Sequence, residues 1–284
     1  MVSESFVRAS RTRTSAFHSR CPLLLMRFSL PLALLLLAVV IAGCGRSESE
    51  PTVAVDSTAQ LAPDPAGPPA AWSYDGDTGP SEWASLADAY TACEGDRQSP
   101  IALDDTTARA SQGFNANYIM ELGSVVDAGH TIQVNTSGGM LMHDGRMYGL
   151  EQFHVHTPAE HTVGGTTYPA EVHLVHRAQD GTLVVLGVFV EEGSTPNPAL
   201  KTWITGTDTT MTFRPTQFFP NQQNYYTYEG SLTTPPCSES VRWIVMETPI
   251  SASAAQLDTL RARLPDNARP LQPRGDRTLT YVTP

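Results

Sequence analysis

Three histidines are spaced as ligands of a single metal ion. His154 and His156 lie two residues apart in EQFHVHTP, and residues two apart on a strand project from the same face. The run AEVHLVH supplies His173 on the next predicted strand. Three neutral imidazoles that leave a fourth position open are typical of catalytic zinc. We therefore predict one Zn2+ held by His154, His156 and His173.

The pairing of these two strands depends on the turn between them. If Gly164-Gly165 forms the centre of a hairpin, His156 lies directly opposite His173. Directly opposite residues have Cβ atoms about 4.5 to 5.5 Å apart, which suits one shared ion. Pro158 and Pro169 interrupt the ladder before the turn, so this register is an inference from the turn.

Two polar residues are placed to orient the histidines. Gln152 precedes His154 by two residues and Glu171 precedes His173 by two, so each shares a strand face with its histidine. Metal-bound histidines usually give their second ring N–H to a carboxylate, a carbonyl or water. We predict that Gln152 and Glu171 hold the two rings. His176 should face the other side of its strand.

The elements that must position this site are mostly strands. Helices are few, the best being Ser253 to Leu264, with further short helices near Ser81 and Asn197. We predict a mainly β (α+β) single domain, built on one large, mostly antiparallel, twisted central sheet with short peripheral helices. The predicted strands are 130–136, 147–156, 170–176, 182–190 and 241–248, separated by turn signals at Asp144-Gly145, Gly164-Gly165 and Asp180-Gly181.

Composition excludes two broad classes. With 284 residues, 40% of them hydrophobic and 17% charged, the chain is typical of a globular protein and not of one disordered throughout. The formal net charge is −11, from 18 basic and 29 acidic residues. Because phosphate binding needs a basic surface, this balance argues against a nucleic acid partner.

The N-terminal region predicts export. Phe28 to Ala42 is apolar and follows Arg27, but it is shorter than the roughly 20 residues that a transmembrane helix needs. A basic start, a short apolar stretch and small residues are typical of a secretory signal, here assigned to residues 1–43 with Met26 as an alternative start. Residues 44–70 are rich in Pro, Ala and Ser and predict a flexible tether. The folded domain is then 71–284.

The end of this signal resembles that of bacterial lipoproteins, in which cleavage precedes a cysteine that becomes lipidated. The resemblance implies a lipid anchor at Cys44 and a periplasmic or cell-surface protein. Gly45 rather than Asp follows the cysteine, which favours the outer membrane in a two-membrane bacterium. The alternative is an ordinary signal peptide with an incidental Cys44.

The domain as a whole resembles the alpha-class carbonic anhydrases. The segments that carry the resemblance are WSYDGDTGPSEW (72–83), RQSPIAL (97–103), QFHVHTPAEHTVGGTTYPAEVHLVH (152–176), GSLTTPPCSESVRWIV (230–245) and NARPLQP (267–273). The resemblance implies a zinc enzyme in which zinc-bound hydroxide attacks carbon dioxide, giving bicarbonate and a proton reversibly. Carbon dioxide and bicarbonate are the expected small-molecule partners.

The resemblance also implies roles for individual residues. Thr233 matches the threonine that accepts a hydrogen bond from the hydroxide, and Glu160 matches the carboxylate that receives the threonine's proton. His130 matches the proton-shuttle histidine, and His143 is the competing candidate. The remaining matches are Gln152, Glu171 and Asn267 behind the ligands, Thr234 on the substrate side, Val175, Val185, Leu232 and Trp243 as the apolar wall, and Tyr74 and Gln133 near the shuttle.

Two residues depart from the family pattern, and two cysteines follow it. Ala159 stands where a serine is usual, and Ala128 stands where an asparagine often holds the water chain. The second departure puts the efficiency of proton transfer in doubt.

The resemblance also implies a disulfide, because Cys93 and Cys237 match positions bridged in secreted members. With Cys21 in the signal region and Cys44 lipidated, they are the two cysteines left in the domain, and export favours oxidation.

Two rival interpretations stay open at this point. The spacing of His154, His156 and Glu160 also matches the first metal motif of a cupin enzyme, with Glu160 as fourth ligand and iron or manganese as metal. The second cupin motif carries Pro-x-Gly before its histidine, whereas Pro169 is followed by Ala170. The other rival is a catalytically silent zinc-binding module of the carbonic anhydrase fold, although such modules usually lose a ligand histidine.

Overall fold

The computed structural model describes residues 70–205, 209–264 and 266–284. The predictions for the signal region 1–43, for Cys44 and for the tether up to residue 69 lie outside these described residues. Within them, no helix is both long and apolar enough to cross a membrane.

Strands dominate the described chain, because β-branched and aromatic residues recur in short runs between turns. They are β1 (Ala108–Ala110), β2 (Asn115–Asn117), β3 (Glu121–Asp127), β4 (Ile132–Asn135), β5 (Met140–His143), β6 (Arg146–His156), β7 (Thr162–Val163), β8 (Thr166–Thr167), β9 (Ala170–Arg177), β10 (Leu183–Gly193), β11 (Thr209–Phe213), β12 (Tyr225–Ser231), β13 (Glu239–Met246), β14 (Ile250–Ser253) and β15 (Thr280–Val282). The sequence patterns had indicated β4, β6, β9, β10 and β13.

Helices in these ranges are short and lie outside the sheet. The α-helices are α1 (Trp83–Leu86), α2 (Lys201–Thr205) and α3 (Ala254–Arg263), and the 3-10 helices are Gly76–Thr78, Asp88–Glu94, Pro198–Leu200 and Pro215–Phe218. Ser253 precedes α3 as predicted, and its backbone N–H donates to Gln256 Oε1 at 3.3 Å. This contact is one half of a capping box, which stabilises a helix start by satisfying its free N–H groups.

Among the described residues, thirteen strands form one mixed sheet. Its order is β1-β15-β12-β13-β10-β9-β6-β4-β3-β11, with β14 on β10, β5 on β6 and β2 on β5. Most neighbours are antiparallel, while β1 with β15, β10 with β13 and β10 with β14 are parallel. The predicted fold class is therefore confirmed. β5 and β6 are joined at Asp144-Gly145, where φ is 49° and 74°, as a tight hairpin turn of the primed type requires.

The register of β6 and β9 differs from the prediction by two residues. His154 lies opposite His173, and His156 lies opposite Glu171. The hairpin centred on Gly164-Gly165 is present, but β7 and β8 form it as a separate two-stranded sheet. The connection before that hairpin, 157–161, is longer than the one after it, 168–169, so the main ladder is offset. A shift of two keeps the strand parity, and the three histidines still share one face.

The sheet buries apolar side chains on both faces. Along β9, Leu174 belongs to a large cluster that includes Trp203, whereas Val175 belongs to a smaller cluster with Trp243. Because side chains alternate along a strand, His173 projects on the face of the smaller cluster. That face therefore holds the metal centre.

Candidate metal centre

Adjacent strands of the central sheet bring the three predicted ligands together. His154 and His156 on β6 and His173 on β9 have ring centroids 5.0, 5.2 and 4.7 Å apart. One nitrogen from each ring lies within 4.8 Å of the other two. His156 and His173 are buried, while His154 is half-buried. The centre is therefore partly exposed only at His154.

Each ring is held by the nitrogen that faces away from the centre. His154 Nδ1 donates to Gln152 Oε1 at 2.8 Å, and His156 Nδ1 donates to the backbone carbonyl of Asn267 at 2.6 Å. His173 Nε2 lies 3.0 Å from Glu171 Oε1. The structure therefore brings all three predicted supporting residues to the rings. Nε2 of His154 and His156 and Nδ1 of His173 are left to face a common point.

The donor set fits zinc. Nε2 of His156 is buried and has no hydrogen-bond partner among the described residues, which marks a nitrogen left for a ligand. Burial lowers the pKa of all three imidazoles below the ordinary value, to about 4 for His156. Neutral imidazole is the form that binds metal, and three such nitrogens with an open position are the catalytic zinc arrangement.

Glu160 lies beside the ligands without being arranged as a fourth one. Its Oε1 accepts a hydrogen bond from the Arg269 backbone N–H at 2.8 Å, and its Oε2 is 3.6 Å from His156 Nε2. Burial raises the pKa of Glu160 to about 7, although the charge of His173 and hydrogen bonds from Arg269 and the Thr233 side chain lower it. A metal dication at the histidines would favour the ionised carboxylate further. Thr233 therefore lies near Glu160, and its role in orienting the nucleophile stays a prediction.

Sequence reasoning missed the partners of Glu171. Its Oε1 also accepts from His161 Nδ1 at 2.8 Å, and its Oε2 accepts the backbone N–H groups of Glu160 and His161 at 3.0 and 2.9 Å. Burial alone would raise its pKa, but the adjacent His161 and His173 hold the pKa of Glu171 well below the usual range. The carboxylate is thus a charged anchor for one ligand and for the backbone that carries Glu160.

The space for this anchor comes from a glycine. Gly187 on β10 lies opposite His173, and a Cβ at Gly187 would come within 2.7 Å of Glu171 Oε1. The position of Glu171 therefore depends on the missing side chain across the ladder.

Arg269 is a second residue that sequence reasoning missed. Its guanidinium is 3% exposed and donates to Gln98 Oε1 at 2.8 Å, to the Ser99 carbonyl at 2.9 Å and to the Cys93 carbonyl at 3.0 Å. Burial lowers its pKa to about 10, so it stays charged at neutral pH. Arg269 lies in the quoted segment NARPLQP, and that segment was the only signal for it.

Asn267 fixes more than the ring of His156. Its side-chain amide donates to the backbone carbonyls of Val155 and His130, both at 3.1 Å. Its Oδ1 accepts the Thr157 backbone N–H at 2.7 Å. One residue from the C-terminal part of the chain therefore ties the end of β6 to the segment before β4.

The predicted apolar wall lies beside the histidines. Val175, Val185 and Trp243 are neighbours across β9, β10 and β13, and all three are buried. The Trp243 ring centroid is 4.9 Å from that of His173. Leu232 is half-buried and packs against the same cluster, and Thr234 is also half-buried. The wall is thus formed by strand register together with the loop after β12.

His130 is half-buried and packs against an aromatic side chain. Its ring centroid is 4.6 Å from that of Trp72. Burial, followed by the charge of His156, lowers the pKa of His130 to about 4, below the value near 6.5 assumed from the sequence. The hydroxyl of Tyr74 is buried and has no hydrogen-bond partner among the described residues. Gln133 Nε2 donates to Asn135 Oδ1 at 2.5 Å.

Two other histidines lie away from the centre. His176 faces the opposite side of β9, as predicted, and its Nε2 is 2.5 Å from the Tyr118 hydroxyl. His143, the competing shuttle candidate, is buried, and its Nε2 lies 3.4 Å from Asp144 Oδ2. On β5, strand alternation turns His143 inward while the residues on either side of Leu141 face out.

The loop that carries Thr233 is covalently tied to the N-terminal part of the domain. Cys93 and Cys237 form a disulfide, as predicted, and the Cys237 backbone N–H donates to the Thr234 carbonyl at 2.8 Å. Both cysteines are buried against Trp83 and Tyr90.

Comparison with known proteins agrees with this geometry. Residues 78–283 match the model of the eukaryotic-type carbonic anhydrase family. A carbonic anhydrase of Nostoc sp. is 40% identical over 222 residues, which cover 72% of this chain and 84% of that protein.

Solved structures show the same relationship. The Thermovibrio ammonificans alpha-carbonic anhydrase, in complex with the inhibitor sulfanilamide, is 38% identical with a TM-score of 0.70, covering 75% of this chain and 100% of that one. The Photobacterium profundum alpha-carbonic anhydrase is also 38% identical, with a TM-score of 0.69 over 74% of this chain and 100% of that one. The cupin interpretation is therefore wrong, and the chain belongs to the eukaryotic-type, or alpha, carbonic anhydrase family of zinc enzymes that hydrate carbon dioxide.

Proposed function

We propose that the three-histidine centre catalyses the reversible reaction of carbon dioxide with water to give bicarbonate and one proton. The observation that carries this assignment is the cluster of three imidazoles, two held by hydrogen bonds on their outer nitrogens and the third 3.0 Å from a carboxylate oxygen. When bound there, zinc lowers the pKa of its water from 15.7 to about 7, the standard figure for carbonic anhydrases, and so supplies a nucleophile at neutral pH.

Thr233 and Glu160 orient that nucleophile. Glu160 is already satisfied on Oε1 by the Arg269 N–H, and the Thr233 side chain donates to the same carboxylate. The Thr233 hydroxyl has one hydrogen, and when it donates that hydrogen to the carboxylate it can only accept a hydrogen bond from the reacting oxygen. The hydrogen of the nucleophile then points toward Thr233, and a lone pair of the reacting oxygen is left to attack carbon dioxide.

The apolar wall holds the substrate. Carbon dioxide has no hydrogen to donate and little affinity for polar surface, so Val175, Val185 and Trp243 offer it a dry position beside the reacting oxygen. Leu232 and Thr234 border the same space from the loop after β12.

Removal of the metal tests the assignment. Prolonged dialysis against a zinc chelator should reduce carbon dioxide hydration to the uncatalysed rate, and one equivalent of Zn2+ should restore it, because the remaining groups supply no nucleophile at pH 7. Stopped-flow hydration with a pH indicator, together with metal analysis, measures both quantities. Full activity in metal-free protein would exclude zinc catalysis.

His130 is proposed to carry the product proton to solvent. In its position against Trp72, a ring with a pKa near 4 holds a proton poorly at neutral pH. Accepting one therefore requires the ring to move into a more solvated position, where its pKa returns toward 6.5.

The His130→Ala variant tests this role. It should lower kcat in dilute buffer while leaving kcat/KM nearly unchanged, because the proton leaves after bicarbonate has departed. Added imidazole should restore much of the lost rate by carrying the proton instead. Gln222→Ala, at an exposed position before β12 and outside the site, is the control and should keep kcat. If kcat and kcat/KM fell by the same factor in the His130 variant, the His130 side chain would have a role other than proton transfer.

We also propose that domain 71–284 is exported and tethered through residues 44–70 to a lipid on Cys44, on the periplasmic or cell-surface side of a membrane. The apolar run before Cys44 supports this arrangement, as does the disulfide, since disulfides persist in oxidising compartments.

Membrane attachment should depend on Cys44. The Cys44→Ser variant, expressed in a bacterial host, should release soluble enzyme or accumulate as uncleaved precursor, because the lipid acceptor is lost. Cys21→Ser is the matched control and should remain with the membrane fraction. Fractionation and mass measurement of the mature N-terminus give the readout. The proposal would be contradicted if Cys44→Ser stayed in the membrane fraction like the parent and the mature N-terminus of the parent carried no lipid mass.

A further inference from the structure

Three methionines share the outward face of the β5–β6 hairpin. Met140 and Met142 on β5 are 40% and 47% exposed, and Met147 on β6 is 65% exposed. On β5 they alternate with Leu141 and His143, which are buried. Strands favour β-branched and aromatic residues, yet all three of these solvent-facing positions hold an unbranched thioether.

The strand register brings the three side chains to one place. Met142 lies directly opposite Met147, and Met140 lies opposite Gly149. Opposite Cβ atoms are about 4.5 to 5.5 Å apart, and diagonal neighbours at about 7 to 8 Å are within reach of long side chains. Met140 is the diagonal neighbour of Met147, so the three side chains are within reach of one another.

The surface above Gly149 is open. A Cβ built on Gly149 would meet only the backbone oxygen of Arg177, at 4.0 Å. On the far side of the glycine, the Arg177 guanidinium is paired with Glu151 at 2.7 Å, so its positive charge is compensated. The space over Gly149, between the positions of Met140 and Met147, is therefore free to hold another atom.

We propose that Met140, Met142 and Met147 form a binding site for a soft monovalent metal ion, with Cu(I) as the natural ligand. Thioether sulfur selects Cu(I), whereas zinc takes nitrogen, thiolate or carboxylate ligands. The site is chemically distinct from the three-histidine centre on the other part of β6. The three thioethers are neutral, so the bound ion keeps its positive charge. The net charge of −11 of the chain favours such a cation at the surface.

Ag(I), a redox-inert substitute for Cu(I), is the probe. The full zinc-loaded chain is used with Cys21→Ser and Cys44→Ser, because those two thiols would otherwise compete for the ion. The chain has 8 methionines, and methyl-13C labelling gives a separate NMR signal for each. One equivalent of Ag(I) should shift the signals of Met140, Met142 and Met147 and leave the others in place, with carbon dioxide hydration unchanged.

Leucine variants assign the site. Met142→Leu and Met147→Leu keep the apolar volume and should each weaken Ag(I) binding by about tenfold or more, since even a supporting group around a metal is worth about 10- to 100-fold. Met120→Leu is the control, because Met120 is 59% exposed but lies outside the β5–β6 pair. Absence of methyl shifts, or an equal loss with Met120→Leu, would overturn the proposal. So would undiminished binding in the double Met142, Met147 variant.

Discussion

Replacing His154 with alanine is expected to abolish both zinc retention and carbon dioxide hydration. His154 supplies one of three nitrogens to the centre, and the other two alone fall short of the three protein ligands that catalytic zinc sites use. The loss of zinc affinity should exceed the roughly 10- to 100-fold that removal of a supporting hydrogen bond costs. Zinc per chain after gel filtration and the stopped-flow hydration rate measure the two effects.

Thr233→Ala is the comparison that separates metal binding from catalysis. Thr233 lies near Glu160 and is not one of the three nitrogen ligands, so this variant should keep one zinc per chain and lose rate. Circular dichroism on both variants shows whether the sheet remains folded. A folded His154→Ala protein with full zinc content and full activity would show that the ligand set is wrong.

Strand parity explains why the ligands could be predicted although their register could not. His154, His156 and His173 project on one face for any even shift between β6 and β9, so the face does not depend on pairing. The pairing itself depends on how the chain passes through 157–161 and 168–169 to reach the separate hairpin. Unequal connections of this kind leave no periodic signal in the sequence.

The support of the centre was less predictable because it comes from distant segments. Gln152 and Glu171 were found from parity, since each lies two residues from a histidine on the same strand. His161 and Arg269 reach the same centre through loops, and Arg269 joins Glu160 across more than a hundred residues of sequence. No local pattern relates such positions, so the resemblance to a family was the one signal for that part of the chain.

The burial of His130 and His143 could not be predicted from the sequence either. His130 and His143 both precede short turns or strands, yet burial of His143 on β5 and the packing of His130 against Trp72 follow from tertiary contacts. The same contacts lower the pKa of His130, which the ordinary value for imidazole had placed near neutrality. The sequence does not show this burial, because it depends on segments that the fold brings together.

Removing the disulfide should destabilise the domain strongly. Cys93 and Cys237 are 144 residues apart, and the chain-entropy model gives an upper value on the order of 5 kcal/mol for closing a loop of that size. That figure is comparable with the whole stability of many domains. The Cys93→Ala, Cys237→Ala variant should therefore unfold at much lower urea concentration. Alanine is preferred to serine because both positions are buried among apolar side chains.

The same variant should lose activity below its unfolding transition. Cys237 adopts a positive φ of 55°, a conformation that a non-glycine residue keeps only when its surroundings enforce it. Without the bridge to Cys93, the turn from Thr234 to Cys237 is free to relax, and Thr233 loses its fixed position near Glu160. Hydration activity, measured at urea concentrations where the sheet is still folded, should then fall more steeply than in the parent. The Cys21→Ser, Cys44→Ser protein is the control and should match the parent in both stability and rate. An unchanged urea midpoint in the alanine variant, or two alkylatable thiols from Cys93 and Cys237 in unreduced, denatured parent, would contradict the prediction.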